Sequence, residues 1–230
     1  MKVLVTGVNG QLGFDVCKHL NALKIENKGI DLVDADITNE KQIKAYILNY
    51  NPTHVIHCAA YTAVDNAEDN LDLCYKINVS GTKYIAEACN EIDATMMYFS
   101  TDYFFEGTGN KFFKEEDKIK PNSVYVETKY LGEKAVRDIL KKHFILRISW
   151  VYGINGNNFV KTMLNLANTY DKLTVVDDQI GSPTYTDDVA SLVCKMIITD
   201  KYGTYHVTND DICSWYEFAK TIFQYSNINI

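Results

Sequence analysis

The sequence predicts an α/β fold: a doubly wound parallel sheet with a small C-terminal lobe. Three observations predict it. Short β-rich runs alternate with helix-period segments from the first residues onward, which implies a parallel sheet with helices on both faces. A glycine-rich turn joins the first such run to the first helical segment. The 230 residues are 47% apolar, enough for one large core with a lobe attached.

The elements follow in order. KVLVT (2–6) is a strand, and QLGFDVCKHLNAL (11–23) carries Leu12, Val16, Leu20 and Leu23 at helical spacing. KGIDLV (28–33) and HVIHCAA (54–60) read as buried strands. Between them NEKQIKAYILNY (39–50) reads as a helix with its N-cap at Thr38-Asn39. NLDLCYKINVSGTKYIAEACNEI (70–92) reads as one long helix and ATMMYFST (94–101) as the next strand. A loop rich in charge and glycine runs from Phe105 to about Pro121. VYVETKYLGEKAVRDILKKH (124–143) is a helix and FILRIS (144–149) a strand. After Trp150 the texture changes. VYGINGNN (151–158) is a loop, FVKTMLNLANTY (159–170) a helix and LTVVDDQ (173–179) a strand. TDDVASLVCKMIITD (186–200) is a helix whose acidic first turn suits the helix dipole. GTYHVT (203–208) and SWYEFAKTIFQY (214–225) add a strand and a helix.

Charge and cysteine usage narrow the function. A net charge of −7 argues against a nucleic-acid surface, which needs a basic face. Met1 leads directly into KVLVTG, so no signal peptide is read, and no apolar run approaches the length of a membrane span. The six cysteines are scattered, with no C-x-x-C, which suits reduced thiols in the cytoplasm and places no metal.

Gly7, Gly10 and Gly13 in TGVNGQLG sit between the first strand and the first helix. A strand feeding a helix through such a turn puts free N–H groups where a pyrophosphate can rest. Gly7 serves the tight turn, Gly10 close approach and Gly13 helix–sheet packing; Gln11 and Leu12 belong to the same cofactor-binding turn. Such a Rossmann-like site needs an acid after the second strand to hold the adenosine ribose. Asp31, 18 residues past Gly13, is the candidate, with Asp34 its competitor and Asp36-Ile37 flanking the adenine. Residues 1–150 and 171–200 form the expected dinucleotide-binding domain, and 151–170 and 201–230 the lobe. Tyr125 and Lys129 stand four apart on a predicted helix and so share one face. Alone they do not distinguish a catalytic pair from two ordinary helix residues. Arg147, at a strand end, suits a carboxylate partner better than a phosphate.

These stretches together resemble the extended short-chain dehydrogenase/reductases, and within them the dTDP-4-dehydrorhamnose reductase family. The resemblance runs nearly end to end. It rests on VTGVNGQLG (5–13), HCAAYTAVDNAE (57–68), INVSGT (77–82), STDYFFEG (100–107), VYVETKYLGE (124–133), RISWVYGINGNNFVKTML (147–164), DQIGSPTY (178–185) and SWYEFA (214–219). Val126 departs from the small residue that usually follows the tyrosine. The family continues some dozens of residues past the last motif, so the substrate lobe is expected to be incomplete here.

The resemblance implies a chemistry. Tyr125 donates a proton to the C4 ketone oxygen of a dTDP-4-keto-6-deoxy sugar, and Thr101 orients that oxygen. Lys129 lowers the phenol pKa and binds the nicotinamide ribose. The hydride comes from NADPH or NADH, with Ala59, Ala60 and Tyr61 lining the cofactor. Asp102 either binds the sugar or caps its loop. Tyr103 stands where dehydratase relatives carry a glutamate, which speaks for plain reduction. Trp150 offers a flat face to the pyranose or packs lobe against body. Asn78 is a helix-kink residue or a surface one, and Gln179, Ser182 and Pro183 shape the loop beside the nicotinamide. Some family members are dimers that use Mg²⁺; a homodimer is open here, and Mg²⁺ has no placeable site. Two other readings stay open. One is a non-catalytic regulatory subunit resembling that of methionine adenosyltransferase, and the other a reductase or epimerase of a different nucleotide sugar.

Overall fold

The computed structural model of the chain describes residues 1–105 and 112–230. Part of the predicted 105–121 loop, with the last two residues of STDYFFEG, lies outside the described residues.

The elements run β1 (Lys2–Thr6), α1 (Gln11–Ala22), β2 (Glu26–Ile30), α2 (Glu40–Tyr50), β3 (His54–His57), α3 (Val64–Asp69) and α4 (Leu71–Tyr75). A π-helical turn (Lys76–Gly81) then leads to α5 (Thr82–Glu91), β4 (Thr95–Thr101), α6 (Val124–Ile139) and β5 (His143–Ile148). The rest is β6 (Val151–Tyr152), α7 (Phe159–Ala167), β7 (Ile180–Gly181), β8 (Thr184–Tyr185), α8 (Thr186–Met196), β9 (Gly203–His206), β10 (Cys213–Ser214) and α9 (Trp215–Tyr225).

The main sheet is six-stranded, ordered β2-β1-β3-β4-β5-β9, and every pairing in it is parallel. Alternation along the strands divides the core. Val3, Val5, Ile56, Met97, Phe144 and Leu146 face α1 and α8. Leu4, Val55, Met96, Tyr98 and Ile145 face α2, α5 and α6. The period of two in each strand therefore feeds two separate apolar layers, as double winding requires. The strand order reverses beside β1, so the carboxyl ends of β1 and β3 open a crevice there.

Local chemistry accounts for the helix ends. Asn39 caps α2 by accepting the Gln42 N–H, and Ser123 caps α6 by accepting the Val126 N–H. Ser214 and Glu217 form a reciprocal capping box on α9.

Four expectations change. The long helix at 70–92 is broken by the π turn, and the short α3 before it carried no recognised signal. The cause of the break is Asn78, which is buried, accepts the Tyr61 N–H at 2.8 Å and donates to the Tyr61 carbonyl at 3.2 Å. Segment 173–179 is not a strand. Leu173 and Val175 pack into the lobe cluster of Met163, Ala219, Ile222 and Phe223, and the Val176 carbonyl accepts the Tyr216 N–H. Gly203–His206 is the sixth strand of the main sheet, whereas the expected lobe boundary at 201 assigned it elsewhere. The second strand lies at Glu26–Ile30: it begins two residues before KGIDLV, ends before Asp31, and buries only Ile30, being the edge strand of the sheet rather than a buried one.

Candidate active site

The carboxyl ends of the strands open into a cleft of about 980 Å³. Gly7 lies at its floor with φ +71°. A Cβ on Gly7 would fall 2.6 Å from the Ala59 nitrogen, and one on Gly13 would fall 2.3 Å from the Gly7 carbonyl oxygen. Side chains are excluded at both positions, and the turn is drawn tightly over the start of α1. Gly10 is the N-cap of α1, and no side chain caps it. The first N–H groups of the helix thus lack side-chain partners where Gly10, Gln11 and Leu12 line the cleft. Unpaired N–H groups at a helix start are the kind of cradle that suits a phosphate group.

The residues expected beside the adenosine and nicotinamide divide into those that line the cleft and those that do not. Asp31 lines the cleft, its carboxylate accepting the Asn9 N–H at 3.0 Å and the Leu32 N–H at 2.8 Å. Ile37, Ala59 and Ala60 line it as well. Three expected cofactor residues do not. Asp36 is turned away, with its carboxylate accepting both the N–H and the hydroxyl of Thr38 at 2.8 Å. Tyr61 is held through its backbone by Asn78. Gly13 acts behind the wall, through the packing just described.

The carbonyl end is built by β4 and α6. Thr101 ends β4, and Tyr125 and Lys129 lie one turn apart on α6; all three line the same cleft. Burial and the neighbouring Asp102 carboxylate push the Tyr125 pKa up to about 12, against the smaller opposing effect of Thr101. That direction differs from the expected lowering by Lys129. Lys129 is itself pushed down to about 7 by burial, and its Nζ donates to the Phe99 carbonyl at 2.7 Å. It is therefore a weak source of positive charge at neutral pH, and the phenol stays protonated, as a proton donor must. Burial also raises the Asp102 pKa. Tyr103 is half exposed at the rim, its N–H bonded to the Thr101 hydroxyl at 3.1 Å.

Trp150 follows β5 with φ +44°, a left-handed conformation that costs a bulky residue on the order of 1–3 kcal/mol. Its indole lines the cleft and stacks on Trp215, with ring centroids 3.6 Å apart and planes 10° from parallel. Packing and a cleft position thus coexist at Trp150.

Several cleft residues went unread in the sequence. Trp215 enters the sequence reading only as part of SWYEFA, with no role of its own. Asn155 and Asn158 reach back to the glycine turn: Asn155 Nδ2 donates to the Asn9 and Gly10 carbonyls at 2.8 and 3.1 Å, and Asn158 Nδ2 to Gln11 Oε1 at 2.9 Å. Their clustering in GINGNN was the available signal. Beneath the cleft His57 bridges the Thr6 hydroxyl at 2.7 Å and the Thr82 hydroxyl at 3.1 Å, and burial pushes its pKa down to about 3. The Ser100 hydroxyl, beside Thr101 on the cleft wall, is buried with no partner among the described residues. A buried hydroxyl without a partner is costly unless a bound molecule supplies one. It and the glycine cradle both fit a dinucleotide with a polar substrate. Among the described residues no three His, Cys, Asp or Glu side chains gather to hold a metal, and no helix is long and apolar enough to cross a membrane. Gln179, Ser182 and Pro183 stay outside the cleft lining.

A doubly wound sheet whose glycine turn opens into the same cleft as a buried Tyr-x-x-x-Lys face defines a dinucleotide-dependent reductase of the short-chain class. Within that class the chain belongs to the family of the RmlD substrate binding domain, whose model matches residues 1–229. It is 43% identical to the spore coat polysaccharide biosynthesis protein SpsK of Bacillus subtilis, covering 99% of this chain and 80% of that one. It is 43% identical to the dTDP-4-dehydrorhamnose reductase of Aggregatibacter actinomycetemcomitans, over 96% of this chain and 78% of that one. The crystal structure of dTDP-4-dehydrorhamnose reductase from Bacillus anthracis in complex with NADP superposes with a TM-score of 0.96 at 44% identity, covering 100% of this chain and 83% of that one.

Proposed function

We propose that the chain reduces the C4 ketone of dTDP-4-dehydrorhamnose to the alcohol of dTDP-L-rhamnose, with NADPH or NADH as the reductant, in nucleotide-sugar and polysaccharide biosynthesis. The observation that carries this reading is the placing of Tyr125, Lys129 and Thr101 on the wall of the same cleft that the glycine turn opens into. The family membership and the reductase relatives support it.

The bound cofactor supplies the hydride to the sugar C4. The chain's residues do the rest. The unpaired N–H groups at the start of α1 hold the pyrophosphate, and Asp31 takes the adenosine ribose. Thr101 donates to the ketone oxygen and fixes its direction. Tyr125, loaded at neutral pH, releases its proton to that oxygen as negative charge builds on it. Hydride arrival raises the basicity of the oxygen steeply, which draws a proton even from a weakly acidic phenol. Lys129 holds the nicotinamide ribose, and its amine, poised near neutrality, suits return of a proton to Tyr125. Asp102 and Tyr103 face the sugar.

The test is cofactor oxidation with dTDP-, UDP- and GDP-4-keto sugars compared side by side. Turnover should be fastest with the dTDP sugar. Tyr125→Phe should cut it by about 10²–10⁴ with cofactor binding intact. Firm cofactor binding with no oxidation on any of the three would end the reductase reading in favour of a non-catalytic binding protein.

A further inference from the structure

We infer that Trp215 is a substrate-contacting residue that selects for the sugar, forming with Trp150 a single aromatic wall at the sugar end of the cleft. The inference rests on the proposed reduction for its ligand class, a nucleoside-diphosphate deoxyhexose. Both indoles line the cleft, as does Phe159, whose ring centroid lies 4.5 Å from that of Trp215. Trp150 immediately follows Ser149, which lines the cleft together with Thr101, Asp102 and Tyr125, so the wall begins beside the Thr101–Tyr125 end.

The placement of the two rings is enforced from several sides. Aromatic pairs favour offset or edge-on contact over a near-parallel sandwich, yet these rings lie 3.6 Å apart and 10° from parallel. Trp150 keeps its left-handed backbone while its carbonyl accepts the Thr184 N–H at 3.1 Å. Gly181 admits the indole edge: a Cβ there would lie 2.5–2.8 Å from three of its atoms. Trp215 is the first residue of α9. It is fixed by the Ser214–Glu217 capping box, by a Ser214–Asp177 hydrogen bond and by pairing of Cys213 with Gly181 across β10 and β7. One strand pair thus carries both the glycine that admits Trp150 and the turn that delivers Trp215. A strained residue held by this many neighbours at a cleft wall is the arrangement expected of a binding surface. Flat indole surface suits the apolar C–H face and the methyl group of a 6-deoxy pyranose, and gives nothing comparable to a bare diphosphate.

The chain has two tryptophans, and they are this pair. Their excitonic circular dichroism therefore reports on the wall alone. Titration of the protein with dTDP-L-rhamnose should perturb that signal more than titration with dTDP. Trp215→Leu should weaken dTDP-L-rhamnose binding by about tenfold while leaving dTDP and NADPH affinities unchanged. Trp215→Tyr, which keeps a ring and helix packing, should recover most of the loss and stands in should the leucine variant fail to fold. A change confined to helix packing would not alter the ratio of sugar-nucleotide to nucleotide affinity. An unaltered ratio, or tighter sugar-nucleotide binding in both variants, would overturn the inference. If the parent binds dTDP-L-rhamnose through the indoles but oxidises no cofactor, the proposed reaction falls and the wall stands; if it binds no dTDP-L-rhamnose, both fall.

Discussion

The Arg147 guanidinium and the Glu133 carboxylate form a fully buried bidentate pair, with Nη2 to Oε1 at 2.7 Å and Nε to Oε2 at 3.2 Å. The pair joins β5 to α6 one turn beyond Lys129. Arg147 Nη1 also donates to the Glu115 carbonyl at 2.9 Å, and the guanidinium lies 5.5 Å from the Phe104 ring centroid. Strand β5, helix α6 and the segment after Thr101 thus meet at one cation.

Removing Arg147 leaves the fully buried Glu133 carboxylate with the partly exposed Arg137, 2.5 Å from Oε1, as its remaining cation, and Oε2 without its partner. Arg147→Met should therefore destabilise the fold by about 3–5 kcal/mol in urea denaturation. The double variant Arg147→Met/Glu133→Leu should recover part of that loss, because the buried carboxylate left with Arg137 alone is gone. Equal stability of the single variant and the parent would mean the charges are solvated.

Asn78 joins the π turn to the cofactor wall through both backbone groups of Tyr61, and its Nδ2 also donates to the Thr128 hydroxyl at 3.1 Å. Asn78→Ala should cost about 1–3 kcal/mol, the penalty for an unpaired buried Tyr61 N–H. Because Ala59 and Ala60 precede Tyr61 on the wall, NADPH affinity should fall with it. Thermal melts and a fluorescence titration check both, and a stability loss with unchanged affinity would confine Asn78 to the fold.

Burial of Lys129 makes stability depend on pH. Its pKa is about 7 in the fold against 10.5 for the free side chain, so between these values the unfolded chain binds the extra proton and stability rises with pH. Lys129→Met should be more stable than the parent, most clearly below pH 7, with the gap closing toward pH 10.5 while turnover is lost. Chemical denaturation across that range is the measurement. A constant gap would show that the amine does not titrate by burial.

The sequence exposed features whose cause is local. Gly7 and Gly13 are legible because backbone angle and close approach tolerate no side chain, and Asn39 because a cap acts within its own turn. Tyr125 and Lys129 stand out through spacing once the resemblance is drawn. Features that depend on distant partners stayed hidden. Asp36 has the right position for an adenine contact, but Thr38 satisfies its carboxylate first. LTVVDDQ has strand composition, yet its backbone is taken by the start of α9. The direction of the Tyr125 shift follows from depth of burial, which a motif does not encode. Glu133 and Trp215 lie within quoted motifs but take no role from the sequence, because their partners, Arg147 and Trp150, lie on other elements.

The parallel pairing of β5 with β9 has a temporal consequence. The chain must build the whole excursion through α7 and α8 before Gly203–His206 can pair with Phe144–Arg147. During synthesis on the ribosome, β5 therefore waits with one hydrogen-bonding margin open and the apolar run Phe144–Leu146 beside it. The nascent polypeptide is most vulnerable to self-association in that interval, and completion of the sixth strand ends it.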